Sequence, residues 1–302
     1  MALPYQWQMR VDRWKRTFGG MFGSGEKRPQ LCPACGALVG INATRCHQCG
    51  TSLRFGIAAW SKGLSEFFGG HAPVTVAVLI INVIMFGVSL IRSMQTGGGG
   101  GFGLFGGPSS MELYRLGANI PYEMTGWGPW RLITGTFLHG GFLHIGMNMI
   151  VLMDIAPVVE ELYGSARFLF LYVACGIGGS LCSTFLGKHL SIGASGAILG
   201  VIGTLIAVTT KRSGANIQAM RSRLISWVIT IFAFGFLVGG IDNWGHFGGL
   251  VTGFLLGKVF ADHQPAPGQE RTRAYLLGWV AGGAVIAAFA MMFLQVGNPL
   301  PQ

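Results

Sequence analysis

The sequence predicts an all-α polytopic membrane protein, preceded by a small cysteine-rich module on the cytoplasmic side. The 302 residues are 51% hydrophobic and only 11% charged, whereas soluble domains carry about 25% charged residues. Seven apolar stretches approach the ~20 residues that a transmembrane helix needs. Four of the six cysteines precede the first stretch as two Cys-x2-Cys pairs. This composition excludes an ordinary soluble domain and a disordered chain.

The apolar stretches predict a six-helix core over residues 73–261 and one additional helix near the end of the chain. The N-terminus lacks the basic-then-apolar run of a cleavable signal peptide, so we expect insertion to begin at an internal span. The predicted spans are 73–91, 142–159, 168–186, 195–210, 224–241, 244–261 and 274–296.

The distribution of basic residues predicts the orientation of these spans. With the N-terminus in the cytoplasm, 17 of the 21 lysines and arginines lie on the inner side and four on the outer side. Such an excess marks the cytoplasmic loops. We therefore expect a multi-pass protein of a bacterial cytoplasmic membrane, with its C-terminus outside. The net charge of +10 then reflects topology and attraction to anionic lipid headgroups, and no nucleic-acid partner is expected.

Residues 1–30 form a basic N-terminal segment with two open interpretations. Trp7, Val11, Trp14 and Phe18 recur at helical spacing with basic residues between them. This pattern is typical of an amphipathic helix that lies in the membrane interface. A solvated basic arm explains the same residues equally well.

Residues 31–54 predict a zinc-binding module. Cys32 and Cys35 form one Cys-x2-Cys-Gly pair, and Cys46 and Cys49 form a second pair ten residues later. Two such pairs supply four thiolates to one tetrahedral ion, and the motif resembles zinc-ribbon modules. Disulfides or free thiols are the alternatives, but disulfides are rare in the reducing cytosol. Four thiolates leave no open coordination position, so we expect structural zinc, and a cytoplasmic protein could bind this module.

Polar residues in three predicted spans indicate one functional site. Span 2 begins near His139, His144 and Asn148, span 4 begins at Ser195, and span 6 begins near His246. Polar groups in the hydrocarbon core are costly and therefore suggest function. In the predicted topology, spans 2, 4 and 6 all run from outside to inside, so these residues should share one depth in the outer leaflet.

The length of span 4 predicts how deep this site lies. The 16 residues from Ser195 to Thr210 give ~24 Å of helix at ~1.5 Å per residue, against a hydrocarbon core of ~30 Å. Ser195 should therefore lie below the outer surface, at the base of a water-filled cavity. The non-helical backbone at 190–194 would line that cavity.

Ser195 and His246 suggest a nucleophile and its general base. An imidazole can take the hydroxyl proton during attack on a carbonyl group. The free N–H groups at the start of a helix can stabilise the resulting oxyanion. His144 and Asn148 lie one helical turn apart and could donate to the same oxyanion. Gly-x-Ser-Gly alone is weak support, because small residues are common at helix contacts in membranes.

Further motif residues accompany these candidates along the chain. The full set is Trp130 and Arg131; His139, His144 and Asn148; Glu160, Gly164 and Ser165; Gly193 to Gly196; and Gly245 to Gly249 with Gly253. With this set, residues 73–261 resemble the rhomboid family of intramembrane serine proteases. The resemblance implies a Ser195–His246 dyad without an acid and without a catalytic cofactor. It also implies an oxyanion hole made by His144, Asn148 and the Ser195 N–H.

Several features extend or depart from the family pattern. Gly249, Gly253 and Gly257 recur every fourth residue and would let span 6 pack closely on span 4. Several relatives have a tyrosine where this chain has Leu199, so another group must orient His246. The glycine-rich insertion at 97–107 has no assigned role. The helix at 274–296 resembles the six-plus-one layout of some members.

The sequence leaves three functions to weigh. The first is an intramembrane serine endopeptidase that cuts transmembrane segments of membrane proteins near their outer end. The second is a catalytically silent relative that binds membrane clients, although this chain keeps Ser195 and His246. The third is a transporter with a broken helix, which would require paired half-helices or inverted repeats that the sequence does not display.

Overall fold

The computed structural model describes residues 30–31, 38–40, 43, 46–48, 72–98, 106–122, 127–237, 240–260 and 262–296. The chain forms two compact units, Met1–Val76 and Ala77–Gln302. The predicted interfacial helix within 1–30 and most of the glycine-rich insertion lie outside the described residues.

The first unit contains a short antiparallel hairpin. Strand β1 (Gln30–Leu31) pairs with β2 (Leu38–Val39), with Gln30 opposite Val39 and Leu31 opposite Leu38. The connection between the strands is the stretch that holds Cys32 and Cys35 in the sequence. Val39 and Cys46 are buried.

The described residues of the second unit are mostly helical, and a long helix occurs at each of the seven predicted positions. The order is α1 (Pro73–Gln95), α2 (Ser110–Arg115), α3 (Arg131–Thr134), a 3-10 turn (Gly135–Phe137), α4 (Phe142–Tyr163), α5 (Ser165–Leu186), α6 (Ser195–Thr210), α7 (Ala215–Leu237), α8 (Asn243–Val259) and α9 (Gln269–Val296).

Five of the long helices are long and apolar enough to cross a membrane: α1, α4, α5, α7 from Ile217, and α9. The other two, α6 and α8, have 16 and 17 residues. At ~1.5 Å per residue they measure ~24–26 Å, which is shorter than a typical hydrocarbon core of ~30 Å. The structure thus supports a polytopic membrane protein that contains two short helices.

The predicted start of span 5 was wrong. The helix begins at Ala215, not at residue 224, and ends at Leu237. Arg221 and Arg223 lower the hydropathy of the first three turns, so the apolar pattern starts later than the helix. Gly214, with φ of +120°, provides the turn before it, a conformation that favours glycine.

The core of the second unit surrounds α6. Every residue of α6 from 197 to 205 is buried, and this helix contacts α4, α5, α7 and α8. Polar residues inside the bundle bond to their own helices: Asn82 and Ser89 donate to carbonyls one turn earlier, as membrane burial requires. Helix α9 packs on α5, where Gly278 lies against Ala166.

Candidate active site

The close pairing of α6 and α8 brings Ser195 and His246 together. A Cβ on Gly249 or Gly253 would overlap the carbonyl oxygen of Gly196 or Gly200, and one on Gly257 would lie 2.7 Å from the carbonyl oxygen of Thr204. Only glycine permits this approach along α8. The prediction that these three glycines allow close packing is therefore confirmed.

Ser195 is the first residue of α6, and His246 lies in the first turn of α8. The Ser195 Oγ is 2.8 Å from Nε2 of His246. The imidazole is buried, whereas Ser195 is partly exposed. The hydroxyl is thus in hydrogen-bond contact with the ring and still accessible from one side. This geometry suits proton transfer from serine to histidine.

The backbone before Ser195 is non-helical, as predicted, and is held by the loop that precedes α3. Asn119 and Ser191 form an antiparallel bridge, with N···O distances of 3.0 and 2.8 Å. The Gly193 N–H donates to the carbonyl of Gly135 at 3.0 Å. The start of α6 is therefore fixed from outside the helix, and its first N–H groups have no intrahelical acceptor.

His144 approaches this backbone at Gly193, which has φ of +116°. A Cβ there would lie 2.7 Å from Nε2 and 2.9 Å from Cε1 of His144. The Gly140 N–H donates to Nδ1 of His144 at 3.4 Å, so in the neutral ring Nε2 carries the proton. His144 therefore points a donor toward the backbone beside Ser195.

Asn148 lies one turn after His144 and is buried. Its Nδ2 donates to the carbonyl oxygen of His144 at 2.9 Å, which leaves the second hydrogen of this amide for another acceptor. His139 precedes the helix, and its ring packs against that of His144 with 5.0 Å between centroids.

The other motif residues support the bundle. Arg131 is buried, donates to the carbonyls of Tyr114 and Ala118, and lies over the Tyr114 ring. The Ser165 hydroxyl donates to buried Glu160 at 2.6 Å. Gly164, with φ of +80°, joins α4 to α5. These residues shape the scaffold and do not approach Ser195.

Cys175 and Cys182 are packing residues. Cys175 is fully buried against Gly200, and Cys182 lies against Gly248. Of the four predicted zinc ligands, Cys32, Cys35 and Cys49 lie outside the described residues. Cys46 is described: it is buried, and its Sγ accepts the Gln48 N–H at 3.4 Å. Among the described residues no cluster of metal ligands is present.

Sequence reasoning missed several contacts around His246. Asn243 Oδ1 lies 3.3 Å from Nδ1 of His246, and the Phe232 ring of α7 meets the imidazole edge-on at 5.9 Å. Asp242 caps α8 by accepting the Gly245 N–H at 2.9 Å and also accepts the Ser191 hydroxyl at 2.6 Å. An aspartate directly before a helix is a capping signal, so the role of Asp242 could have been predicted.

The fold and site together define a polytopic membrane protein with a serine–histidine pair at the start of two short, closely packed helices. Residues 126–263 match the sequence model of the rhomboid domain. Three similar proteins are named as rhomboids. The Rhomboid protease GluP of Bacillus subtilis (strain 168) is 42% identical over 126 residues, which are 42% of this chain and 25% of that protein.

Two eukaryotic proteins match a longer segment. The mitochondrial RHOMBOID-like protein 6 of Arabidopsis thaliana is 36% identical over 176 residues, 56% of each chain. Rhomboid-like protease 1 of Toxoplasma gondii is 34% identical over 160 residues, 51% of this chain and 54% of that one. The chain thus spans between a quarter and about half the length of these relatives. The matches support the rhomboid family for this protein.

Proposed function

We propose that this protein is an intramembrane serine endopeptidase that cleaves transmembrane segments of membrane proteins near their outer end. The observation that carries the proposal is the 2.8 Å contact between Ser195 Oγ and His246 Nε2 on two short helices within a membrane bundle. A serine paired with an imidazole in this way is the arrangement that activates a hydroxyl nucleophile. The bacterial and Toxoplasma relatives are both named as proteases, which supports proteolytic activity.

The reaction would proceed through an acyl-enzyme. Ser195 Oγ attacks the carbonyl carbon of the scissile peptide while Nε2 of His246 takes the hydroxyl proton. The tetrahedral intermediate collapses as His246 returns that proton to the leaving amine. Water, activated by the same imidazole, then attacks the ester, and the acid product leaves as the serine regains its proton. No catalytic cofactor is required in this sequence.

The oxyanion of the intermediate would be held by three donors. The Ser195 N–H lies at the free start of α6, where the helix dipole favours negative charge. Nε2–H of His144 faces the same backbone, and Asn148 retains one amide hydrogen. Donors fixed before the reaction stabilise developing charge without reorganisation.

The proposed orientation places the N-terminus in the cytoplasm and the site in the outer leaflet of a bacterial cytoplasmic membrane. It is supported by the excess of basic residues in the predicted inner segments. The 16-residue length of α6 supports a site that lies below the outer surface. Water would reach it through a cavity on that side.

Fluorophosphonate labelling of the full chain in detergent tests the activity. We expect one probe per chain, located on Ser195 by mass spectrometry, together with cleavage of a single-span model membrane protein. Ser195→Ala and His246→Ala should each lose both reactions, while circular dichroism stays unchanged. Ser226→Ala, on partly exposed α7, is the matched control and should react normally. Cleavage that survives in Ser195→Ala would refute the mechanism, whereas a wild-type chain that neither labels nor cleaves would favour client binding.

We also propose that the first unit binds one structural zinc ion through Cys32, Cys35, Cys46 and Cys49. The folded zinc module would in turn bind a cytoplasmic protein partner. The paired strands on either side of the first cysteine pair and the N–H···S bond at buried Cys46 suit a zinc-binding hairpin. Elemental analysis should find about one zinc per chain, lost in the Cys32→Ser, Cys35→Ser double variant. A double variant that retains its zinc would disprove this ligand set. Labelling of Ser195 should survive the loss, because four thiolates leave zinc no position for reacting water.

A further inference from the structure

Leu199 does not orient the imidazole of His246, so another residue must do so. Leu199 is fully buried and aliphatic, so it offers no hydrogen bond to the ring. The polar atom opposite the serine side of the imidazole is Oδ1 of Asn243, 3.3 Å from Nδ1. Asn243 precedes His246 by three residues, so both side chains lie on one face of the first turn of α8.

The chemistry of this contact fixes the protonation of the ring. An amide oxygen can only accept a hydrogen bond, so Nδ1 must carry the proton. A neutral imidazole protonated at Nδ1 has its lone pair on Nε2, the nitrogen 2.8 Å from Ser195 Oγ. The bond made by one ring nitrogen thus decides whether the other can act as a base.

Asn243 is itself held in place from two sides. Gly235 of α7 lies against its amide: a Cβ at that glycine would lie 2.9 Å from Cγ and 3.0 Å from Nδ2 of Asn243. Asp242 fixes the backbone of the same turn through its cap to Gly245 and its bond with Ser191. Each carboxylate oxygen of Asp242 therefore has a partner other than the imidazole.

We propose that Asn243 is the positioning residue of this site, in which its amide oxygen holds the Nδ1 proton of His246 and directs Nε2 at Ser195. This inference rests on the proposed protease function and deepens it. Asn243 takes the structural place of the aspartate in a Ser–His–Asp triad, which holds the imidazole in the correct tautomer. A neutral amide does so without placing a carboxylate against a buried ring, where desolvation of the charge would be costly.

The rate and pH dependence of fluorophosphonate labelling of the full chain test this role. Asn243→Ala should label about 10- to 100-fold more slowly, the range found when a partner that orients a metal-ligating histidine is removed. Asn243→Asp keeps an acceptor and should retain most of the rate, with the acidic limb of its pH profile moved to higher pH. The added carboxylate favours the charged imidazole, which cannot act as a base.

The other groups near the ring do not produce that shift. Asp242 directly precedes α8, and His144 lies beside the backbone at Gly193; both are unchanged in these variants. Ser195 from α6 and Phe232 from α7 do not titrate in the range of the assay. Trp244→Phe, at the exposed neighbouring position, is the matched control and should keep the wild-type rate and profile. If Asn243 served only the fold, its variants would have a lower unfolding temperature. The acidic limb of the pH profile of Asn243→Asp would then stay at the wild-type pH.

Nitrogen-15 NMR of the histidine rings measures the tautomer without any reaction. In the wild type we expect a protonated Nδ1 and an unprotonated Nε2 for His246, and a mixture of tautomers in Asn243→Ala. A wild-type ring protonated at Nε2, or equal labelling rates in Asn243→Ala and wild type, would overturn the assignment. Absence of labelling in the wild type would count against the protease function, while the NMR experiment would still decide the role of Asn243.

Discussion

Helices α6 and α8 carry the candidate dyad and α7 contacts it, but the two regions differ in how closely they are packed. Between α6 and α8, Gly249, Gly253 and Gly257 let the two backbones approach closely. The Thr204 hydroxyl bonds across to the carbonyl of Gly253 at 3.0 Å. By contrast, only 6% of the apolar stretch of α7 is buried, against 50% in α5. Ser195 and His246 therefore lie on two closely packed helices, whereas α7, which contacts the imidazole, has few buried residues.

This difference suggests how the reacting groups can be held in fixed positions while the site stays accessible to a substrate. Reacting groups must be held within a fraction of an ångström, which close packing provides. Under the proposed function, a transmembrane substrate must also approach through the bilayer, and a helix with few buried contacts is displaced at lower cost than a buried one. Because Phe232 and Gly235 on α7 contact His246 and Asn243, a displacement of α7 would also alter the support of the ring.

The largest expected effect comes from filling the contact between α6 and α8. Gly253→Ala places a Cβ onto the carbonyl oxygen of Gly200, and neither backbone can yield without separating the helices. Overpacking of this kind costs about 1–3 kcal/mol or more, which corresponds to roughly 2–12 °C in unfolding temperature. We expect labelling of Ser195 to fall by ~100-fold or more, because a displacement of about 1 Å has that effect on catalysis.

Gly87→Ala is the matched control, because a Cβ at this position on α1 meets no atom within 4 Å. Its labelling rate should equal that of the wild type, and its unfolding temperature should not fall, because alanine is more favourable than glycine inside a helix. If Gly253→Ala also kept the wild-type unfolding temperature and labelling rate, close packing of α6 and α8 would not be what positions the dyad.

The sequence predicted the close-packed half of the site better than the loosely packed half. Glycines at every fourth position, a serine at a helix start and two histidines leave local patterns that depend on spacing alone. The start of α7 was predicted wrongly because Arg221 and Arg223 lower the hydropathy of its first turns. The contacts of Asn243 and Phe232 with His246 depend on side-chain directions and on a helix distant in sequence, so no local pattern encodes them. Of the first unit, the described residues reach only Cys46 among the predicted ligands.

The smallest expected effect concerns the polar link between α7 and α4. Arg223 pairs with Asp154 of α4, and the Trp227 Nε1–H approaches the same carboxylate at 3.4 Å. Arg223 is half exposed, and exposed ion pairs contribute about 0.2–1 kcal/mol. If α7 moves away from α4 as a substrate enters, Asp154→Asn should raise the cleavage rate of a single-span membrane substrate. At most ~1 kcal/mol corresponds to a rise of up to about 5-fold.

The same variant should leave fluorophosphonate labelling unchanged, because a small probe reaches Ser195 without moving a helix. Glu161→Gln removes a negative charge from the exposed end of the same helix and serves as the control for charge alone. The exchange of charges in the Asp154→Arg, Arg223→Asp double variant should restore the wild-type rate if the pair itself limits the motion. A rate that falls in Asp154→Asn, or that changes equally for the small probe, would mean that α7 supports the dyad without having to move for the substrate.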